Sequence, residues 1–518
     1  MRKLGQSVDG AKVQNKKLKR PFILAAIMLA MFMNAIEGTI VSTAMPAIVS
    51  DLGGFSLYSW VFSGYLLMNA VTVLIYGKLS DILGRKPVLL FGIVVFLIGS
   101  LLCGFANSMT ELIIYRFVQG FGAGAVAPVA STIVGDIYKN EERARVQGYL
   151  SSVWGISAVM GPALGGLLVE SLTWKLVFWV NVPLGLLSFI GIWFFLHENI
   201  EKKKRDIDYL GATLLTLSIS TLMVILVEGG VKWSWASAPV ISLALVAIIT
   251  FILFILQEKK AAEPMMPFEI WQERSILIAN LVSLTTGVMM IGLSSFLPTF
   301  VQGVMERSPT VAGFTLTAMS IGWPIASMVS GRLLMKIGFK STSLLGGCSL
   351  IFGSLILVWM KPEAGPLIAA MGSFFVGVGM GLTSTSFIVV IQKNVSWERR
   401  GIATASNMFM RNLGNTVGAA LLGGIMNMRL QAYLNEHAPA GSGVTIDTAN
   451  KLLNSEERMS LPENVVKVLQ EGLTLSLQTI YLIVLGFAVI SFLLLTRLRK
   501  NKNKNKNKNK NKNKNKNA

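Results

Sequence analysis

The chain is poor in charge, poor in acids, and almost without histidine and cysteine. Of its 518 residues only 14% are charged, against about 25% in an ordinary soluble domain. Such a composition leaves no room for a sizeable soluble domain that would report a signal or bind nucleotide. The 2 His and 2 Cys exclude a disulfide scaffold and a His/Cys metal cluster. Cys103 and Cys348 both lie inside apolar runs and read as small core residues. No Walker loop and no Ser/His/Asp arrangement is present, so the sequence points away from an ATP-driven pump and from an enzyme, and it implies no cofactor and no metal. Acids number 27 against 47 Lys and Arg, a formal net charge of +20. That excess resembles nucleic-acid affinity, but its placement argues otherwise. Eight lysines lie in the Asn-Lys repeat after Lys500, and seven Lys and Arg lie in the first twenty residues. No nucleic-acid partner is therefore expected. A cleavable signal peptide is not expected either. The first apolar run is long, holds Asn34 and Glu37, and has no Ala-x-Ala-like site at its end.

What the chain does have is apolar length. It is 53% hydrophobic with a mean hydropathy of +0.59. Runs long enough to cross a bilayer fall at 22–44, 57–76, 88–106, 111–134, 147–169, 175–196, 208–228, 238–256, 276–300, 312–335, 342–359, 366–390, 402–428 and 475–496. A bilayer core of about 30 Å needs about 20 apolar residues in a helix. Backbone in lipid must satisfy its own hydrogen bonds, which leaves helices or closed barrels, and barrel strands are about half as long and alternate in polarity. The expectation is an all-α integral membrane protein of fourteen transmembrane helices. Its loops alternate in charge. One set carries Lys78, Arg85 and Lys86; Lys139, Arg143 and Arg145; Lys202 to Arg205; Lys259, Lys260 and Arg274; and Lys393, Arg399 and Arg400. The other is bare at 45–56 and 107–110 and elsewhere holds single residues such as Lys175, Lys232, Arg307 and Lys361. The positive-inside rule places the rich set and both termini in the cytoplasm of a cell membrane protein. One long connection, 429–474, is then external, with room for a short helix. The Asn-Lys tail cannot bury a core and is expected to be disordered.

The chain also contains itself twice. Gly77-Lys78-Leu79 with Gly84-Arg85-Lys86 aligns with Gly331-Arg332-Leu333 and Gly338-Phe339-Lys340. Glu142-Arg143 aligns with Glu398-Arg399, the Phe117–Gly122 stretch with Phe375–Gly379 after a small shift, and Gly161 and Gly165-Gly166 more loosely with Gly418 and Gly423-Gly424. All are about 255 residues apart. The expected organisation is a basic N-terminus (1–21), a six-helix bundle (22–200), two inserted helices (201–260), a second six-helix bundle with the external loop (261–496) and the tail (497–518). Parallel repeats about an axis along the membrane normal are a secondary-transporter architecture, with the substrate site near the midplane between halves.

Four motifs carry chemistry. GKLSDILGRKP (77–87) joins spans two and three; Gly77 and Gly84 permit a tight reversal, and Asp81 can sit against a helix N-terminus. RFVQGFGAGAVAP (116–128) places Arg116 inside a span, where a cation is costly and needs a partner. GISAVMGPALGG (155–166) has a Gly161/Gly165 packing face and a helix-perturbing Pro162, flanked by Gly155 and Gly166. IEGTIVSTAMPAI (36–48) puts Glu37 deep in span one. Together these resemble the major facilitator superfamily, in particular its fourteen-helix drug:proton antiporter branch, over about residues 20–430. The resemblance implies a conformational latch made by Gly77, Asp81, Gly84, Arg85 and Lys86, with Asp81 and Arg85 touching the start of span thirteen near Arg399–Ile402. It implies an antiporter helix carrying Gly155, Gly161, Pro162, Gly165 and Gly166, and proton coupling through Arg116 and an acid in span one. The branch usually has aspartate there; this chain has Glu37, one methylene longer.

Depth brings two of these charges together. Glu37 lies ~23 Å from the cytoplasmic start of its span and Arg116 ~8 Å from the outer end of its own, at 1.5 Å per residue, so both fall in the outer third of a ~30 Å core. The expectation is that they face each other or share water, with desolvation and the guanidinium acting on the carboxyl in opposite senses. Arg411, about ten residues into span thirteen, is the other deep charge, and its repeat partner is Trp154. With Asn34, Gln119, Met290 and Phe296 these form the candidate substrate-binding set, in an adaptable apolar pocket. The expected activity is export of amphipathic small molecules in exchange for protons by a monomer in the lipid bilayer. A dedicated exporter of an anionic or zwitterionic metabolite, a siderophore or a lipid is the alternative, kept open by two deep arginines against one deep acid.

Overall fold

The structure is a computed structural model that describes residues 20–138, 140–198, 208–261, 266, 268–395, 400–439, 443–453 and 455–498. The basic N-terminus up to residue 19, the Asn-Lys tail, Lys139, Lys202 to Arg205 and Arg399 lie outside the described residues. The helices are α1 (Arg20–Leu52), α2 (Tyr58–Leu83), α3 (Arg85–Gly104), α4 (Met109–Ile137), α5 (Asn140–Ser171), α6 (Leu176–Phe195, with a turn at Val180), α7 (Tyr209–Glu228), α8 (Ala238–Lys260), α9 (Arg274–Thr299, extended by a π turn to Val304), α10 (Pro309–Lys336), α11 (Phe339–Val358), α12 (Pro366–Asn394), α13 (Arg400–His437) and α14 (Glu463–Thr496). Among the described residues, thirteen of these are long and apolar enough to cross a membrane by composition. The exception is α13, which carries Ser406, Asn407, Arg411, Asn412 and Asn415. It is a span by packing instead, held against α9, α2, α14 and α7. A helix surrounded by protein can be more polar than one facing lipid.

The internal repeat is visible in how the helices pack. In the first half α1 packs on α5 and α6, α2 on α4, and α3 on α4 and α6; in the second α9 packs on α13 and α14, α10 on α12, and α11 on α12 and α14. The two motif copies share their turn. Gly84 (φ 96) and Gly338 (φ 85) occupy a backbone region closed to most side chains, each directly before its third helix. Lys86 then donates to the carbonyl of Trp193 at 2.7 Å, and Lys340 to that of Thr496 at 2.5 Å, so each lysine ties its third helix to the end of its sixth. Of the aligned glycines, Gly161 lies against Thr39 and Ile40 of α1 and Gly418 against Val288 and Ile291 of α9, the same crossing made once in each half. The Gly165-Gly166 alignment does not carry over: Gly166 meets Pro309 and Thr310 at the start of α10, whereas its counterpart Gly424 meets Leu226 of α7.

The halves meet along two seams, α5 on α10 and α2 on α13. The inserted α7 covers the second: Trp60 donates to Glu228 at 3.1 Å, and Gly424 abuts the carbonyl of Leu226. At the end of the bundle that carries the 438–462 connection, one hydrophobic core runs through both halves, from Ile36–Val49 of α1 to Phe296, Phe300, Leu430 and Leu477. Toward the end that carries Arg20 the core divides, into a cluster around Ile23, Val88 and Ile133 and a separate one around Ile276, Phe387 and Leu495. Hydrogen bonds between described residues follow the same gradient. Tyr58 Oη reaches the Ser295 carbonyl and Thr299 Oγ1, Gln302 donates to the Thr43 carbonyl at 3.2 Å, Asn427 to that of Ser56 at 2.7 Å, and Thr310 N–H to Glu170 at 3.3 Å.

Three expectations change. Cys348 is exposed, on the same α11 face as Leu345 and Phe352, whereas Cys103 is buried as expected. Apolar surroundings in the sequence of a membrane helix include its lipid-facing side. The 429–474 connection is largely helical at both ends, because α13 runs on to His437 and α14 starts at Glu463; between them lie a 3-10 segment, Ile446–Leu453, and a short helix, Ser455–Met459. Finally α1 continues to Leu52, which puts Glu37 near the middle of its helix.

Candidate functional site

The first half holds a polar cluster sealed inside an otherwise apolar bundle. The α4 helix starts at Ser108, whose hydroxyl accepts the Glu111 N–H at 3.2 Å, a standard N-cap. Seven residues into that helix Arg116 points inward, 1% exposed. Its Nη1 donates to Glu37 Oε1 and, at 2.7 Å, to Gln119 Oε1; its Nε donates to the Val61 carbonyl at 3.2 Å. The guanidinium carbon lies 4.1 Å from the centre of the Tyr65 ring. Glu37 is fully buried, and its second oxygen accepts from Asn181 Nδ2 at 2.6 Å. Ser100 Oγ then gathers three partners: it accepts from Asn181 at 3.1 Å and Gln119 at 3.2 Å and donates to the Phe178 carbonyl at 2.7 Å. The Oδ1 atom of Asn181 is buried and unpartnered.

Five helices thus contribute to one ion pair: α1 (Glu37), α2 (Tyr65), α3 (Ser100), α4 (Arg116 and Gln119) and α6 (Asn181). The side chain of Glu37 reaches Arg116 and Asn181 at once. The pair expected from depth is therefore present, without the open, water-sharing geometry. Beside it Gly38 is exposed, with open space where a Cβ would stand. Among the described residues Glu37 is the one acid near the middle of a span; Glu228 and Asp208 sit at helix ends, bound to Trp60 and to the α7 N-terminus. Ser100, Asn181 and Tyr65 were not anticipated. Single polar residues at span ends are common, and only their convergence marks them.

The other candidates separate. Gln119 belongs to the ion-pair cluster and not to a pocket. Asn34 is buried and accepts from Tyr65 Oη at 3.4 Å. Phe296 is 1% exposed and stacked on Tyr58 in the closed end, and Met290, half-buried, packs against the same core. Buried apolar residues cannot be told from pocket residues by type. Trp154, by contrast, is exposed on α5, and Arg411 is half-buried on α13, its guanidinium carbon 5.8 Å from the Trp323 ring centre.

Arg85 and Lys86, expected in the latch, open α3 and are capped within their own half. Glu198, just past α6, accepts the N–H groups of Arg85 and Lys86 at 3.0 Å each, and Arg85 Nε pairs with Asp136 at 2.7 Å. A carboxylate at two free N–H groups is a favourable cap. Gly77 lies in α2 with open space at its Cβ position. The side chain of Asp81 and those of the α13 start lie outside the described residues, so the expected contact between them does too. The α5 glycines Gly161 and Gly165 pack as expected. A Cβ on Gly161 would fall 2.0 Å from Thr39 Oγ1, one on Gly165 2.1 Å from Thr43 Oγ1, and one on Gly166 2.6 Å from the Pro309 carbonyl, while at Gly155 it would rest 3.6 Å from Pro324. The Pro162 carbonyl sits against Gly313 of α10, so this motif builds both the α1–α5 contact and the seam between halves.

Two six-helix repeats, a covered seam and a closed end opposite a divided one define a membrane transporter. A family model described as the Major Facilitator Superfamily matches residues 27–419, and the chain belongs to that family. It is 36% identical over 416 residues to the multidrug transporter protein MdtP of Bacillus subtilis, covering 80% of this chain and 77% of that one. It is 35% identical over 477 residues to multidrug resistance protein 3 of the same organism, covering 91% and 93%. Among solved structures, a bacterial homologue of the human lysosomal transporter Spinster superposes with a TM-score of 0.65 at 16% identity, over 92% of this chain and 97% of that one, a likeness of fold.

Proposed function

We propose that this transporter is a proton-coupled antiporter that exports amphipathic drugs or other toxic compounds across the cell membrane by alternating access, acting as a monomer and conferring antibiotic resistance on its host. The observation that carries the reading is the Glu37–Arg116 pair: a lone mid-span acid, sealed, salt-bridged and supported by four more polar side chains. An ion pair removed from water is costly to keep, and such a residue within a membrane span marks a functional site by default. The multidrug relatives support the substrate class.

In this reading the charge-rich loops and both termini are cytoplasmic, so the divided end of the bundle faces the cytoplasm and the connection end is the closed external gate. Glu37 takes a proton when the external gate opens and releases it when access returns to the cytoplasm. Arg116 compensates the carboxylate while it is ionised. Asn181 serves both states: its amide N–H₂ donates to the carboxylate, and its idle Oδ1 accepts from the protonated acid after a flip of the amide. The glycine face of α5 is the surface along which the halves rock, and the loop between α2 and α3 holds the cytoplasmic end when the external gate opens.

The experiment is reconstitution of the full chain in proteoliposomes with an imposed ΔpH and a panel of dyes and drugs, with and without an uncoupler. Substrate accumulation that collapses with the uncoupler supports the reading; accumulation indifferent to ΔpH overturns it. A second reading, export of a dedicated anionic or zwitterionic solute, is favoured by one observation, the uncompensated charge of Arg411.

A further inference from the structure

We infer that Arg411 and Trp323 form a substrate subsite for the ionised carboxylate of an aromatic compound, so that the chain exports amphipathic acids and zwitterions in preference to their neutralised or purely cationic forms. This rests on the exporter reading above and gives it a substrate class. Arg411 is on α13 and Trp323 on α10. These helices do not pack along each other: α10 packs on α12 and α5, and α13 on α9, α2, α14 and α7. The guanidinium and the indole, 5.8 Å apart, therefore meet between two helices of the second half that do not pack on each other. Among the described residues the Arg411 guanidinium has no hydrogen-bond acceptor and no counter-ion, and meets the Trp323 indole alone. One turn further along α13, the Oδ1 of Asn415 is also buried without a partner. A guanidinium carries five donors in a planar fork that matches a carboxylate. Left unpaired inside a membrane bundle, it is among the most expensive groups the protein could carry.

The surroundings supply the rest of the site. Trp154, the repeat counterpart of Arg411, is 43% exposed on α5. Its neighbour Gly155 faces Pro324, next to Trp323, so Trp154 and Trp323 stand on the two helices of the α5–α10 seam, one from each half. Met408, one turn before Arg411, is 45% exposed and offers an adaptable apolar wall. Charge decides the ligand. Glu37 and Arg116 neutralise each other inside the first half, so among the described residues Arg411 is left as the deep charge without a counter-ion. Flat aromatic surface beside a bare guanidinium fits an aryl carboxylate, whose anion would neutralise the site as it binds.

A matched dye pair tests this: rhodamine 110, which bears a free carboxyl, and rhodamine 123, its methyl ester. In proteoliposomes the unaltered chain should move rhodamine 110 with the lower KM. Arg411→Gln should raise that KM about tenfold and leave rhodamine 123 within twofold; Arg411→Lys, which keeps the charge but loses the fork, should fall between. Equal effects on both dyes, or none on either, overturn the subsite. If the unaltered chain moves neither dye, the exporter reading fails while the subsite is still judged, by the ratio of Kd values for the two dyes read from tryptophan quenching in detergent. A ratio that Arg411→Gln leaves unchanged refutes it. If Arg411→Gln does not fold, Trp323→Leu with the same quenching readout replaces it and should abolish the preference for the acid.

Discussion

At the scale of the residue, the molecule is governed by one ion pair that it cannot leave half-made. Arg116 and Glu37 are both removed from solvent, and each bonds the other and at least one amide. Removing one partner of a buried pair typically costs about 3–5 kcal/mol, whereas replacing both can be nearly neutral. Arg116→Met should therefore lower the thermal midpoint strongly, and Glu37→Gln combined with Arg116→Met should recover much of the loss, read by fluorescence-detected unfolding in detergent. Glu37→Gln alone keeps an acceptor for the arginine and keeps the volume. It should fold, bind substrate and lose ΔpH-driven accumulation at least tenfold; retained coupling in that variant would remove Glu37 from the mechanism.

At the scale of the element, helix faces are set by what a Cβ would meet. Gly161, Gly165 and Gly166 of α5 lie on backbone and hydroxyl atoms of α1 and α10, with no space for a side chain. Gly165→Val should force α5 away from Thr43 and Ile40, an overpacking cost of about 1–3 kcal/mol, with loss of transport. Gly38 in α1 makes the contrast, because nothing lies within 4 Å of its Cβ position. Gly38→Ala should leave the thermal midpoint unchanged or raise it, as alanine in a helix interior is favoured by up to ~1 kcal/mol. Circular dichroism melts of the two variants separate these outcomes. The same scale explains α13, whose low hydropathy reflects its interior position: Asn407 on it bonds Asn280 and Ser283 of α9 at 3.0 and 2.8 Å.

At the scale of the whole molecule, the core is shared at one end and divided at the other, which in the proposed alternating-access cycle is the state closed to the outside. Thr43 and Gln302, from α1 and the α9 extension, touch across the halves at the shared end. Cysteines placed at both positions, in a chain with Cys103 and Cys348 replaced by serine, should be joined by a short cleavable thiol cross-linker. Transport should stop when the link forms and return when it is cleaved. Undiminished transport through a linked gate would mean that this end does not open.

Much of this was legible beforehand, and for a physical reason. Span number, the duplication and the turn glycines at 84 and 338 are local or periodic properties: apolar length, a fixed offset, a backbone angle. Even the meeting of Glu37 with Arg116 follows from depth along two helices, a one-dimensional quantity. What the tertiary structure decided is rotation about each helix axis. Each residue turns a side chain by about 100°, so whether Cys348 faces lipid, Phe296 faces core, or Ser100 and Asn181 face Glu37 depends on how fourteen helices are turned against one another. Hydrophobicity alone leaves that turn undetermined, because lipid and protein interior accept the same side chains, and only packing and hydrogen bonding between helices fix it.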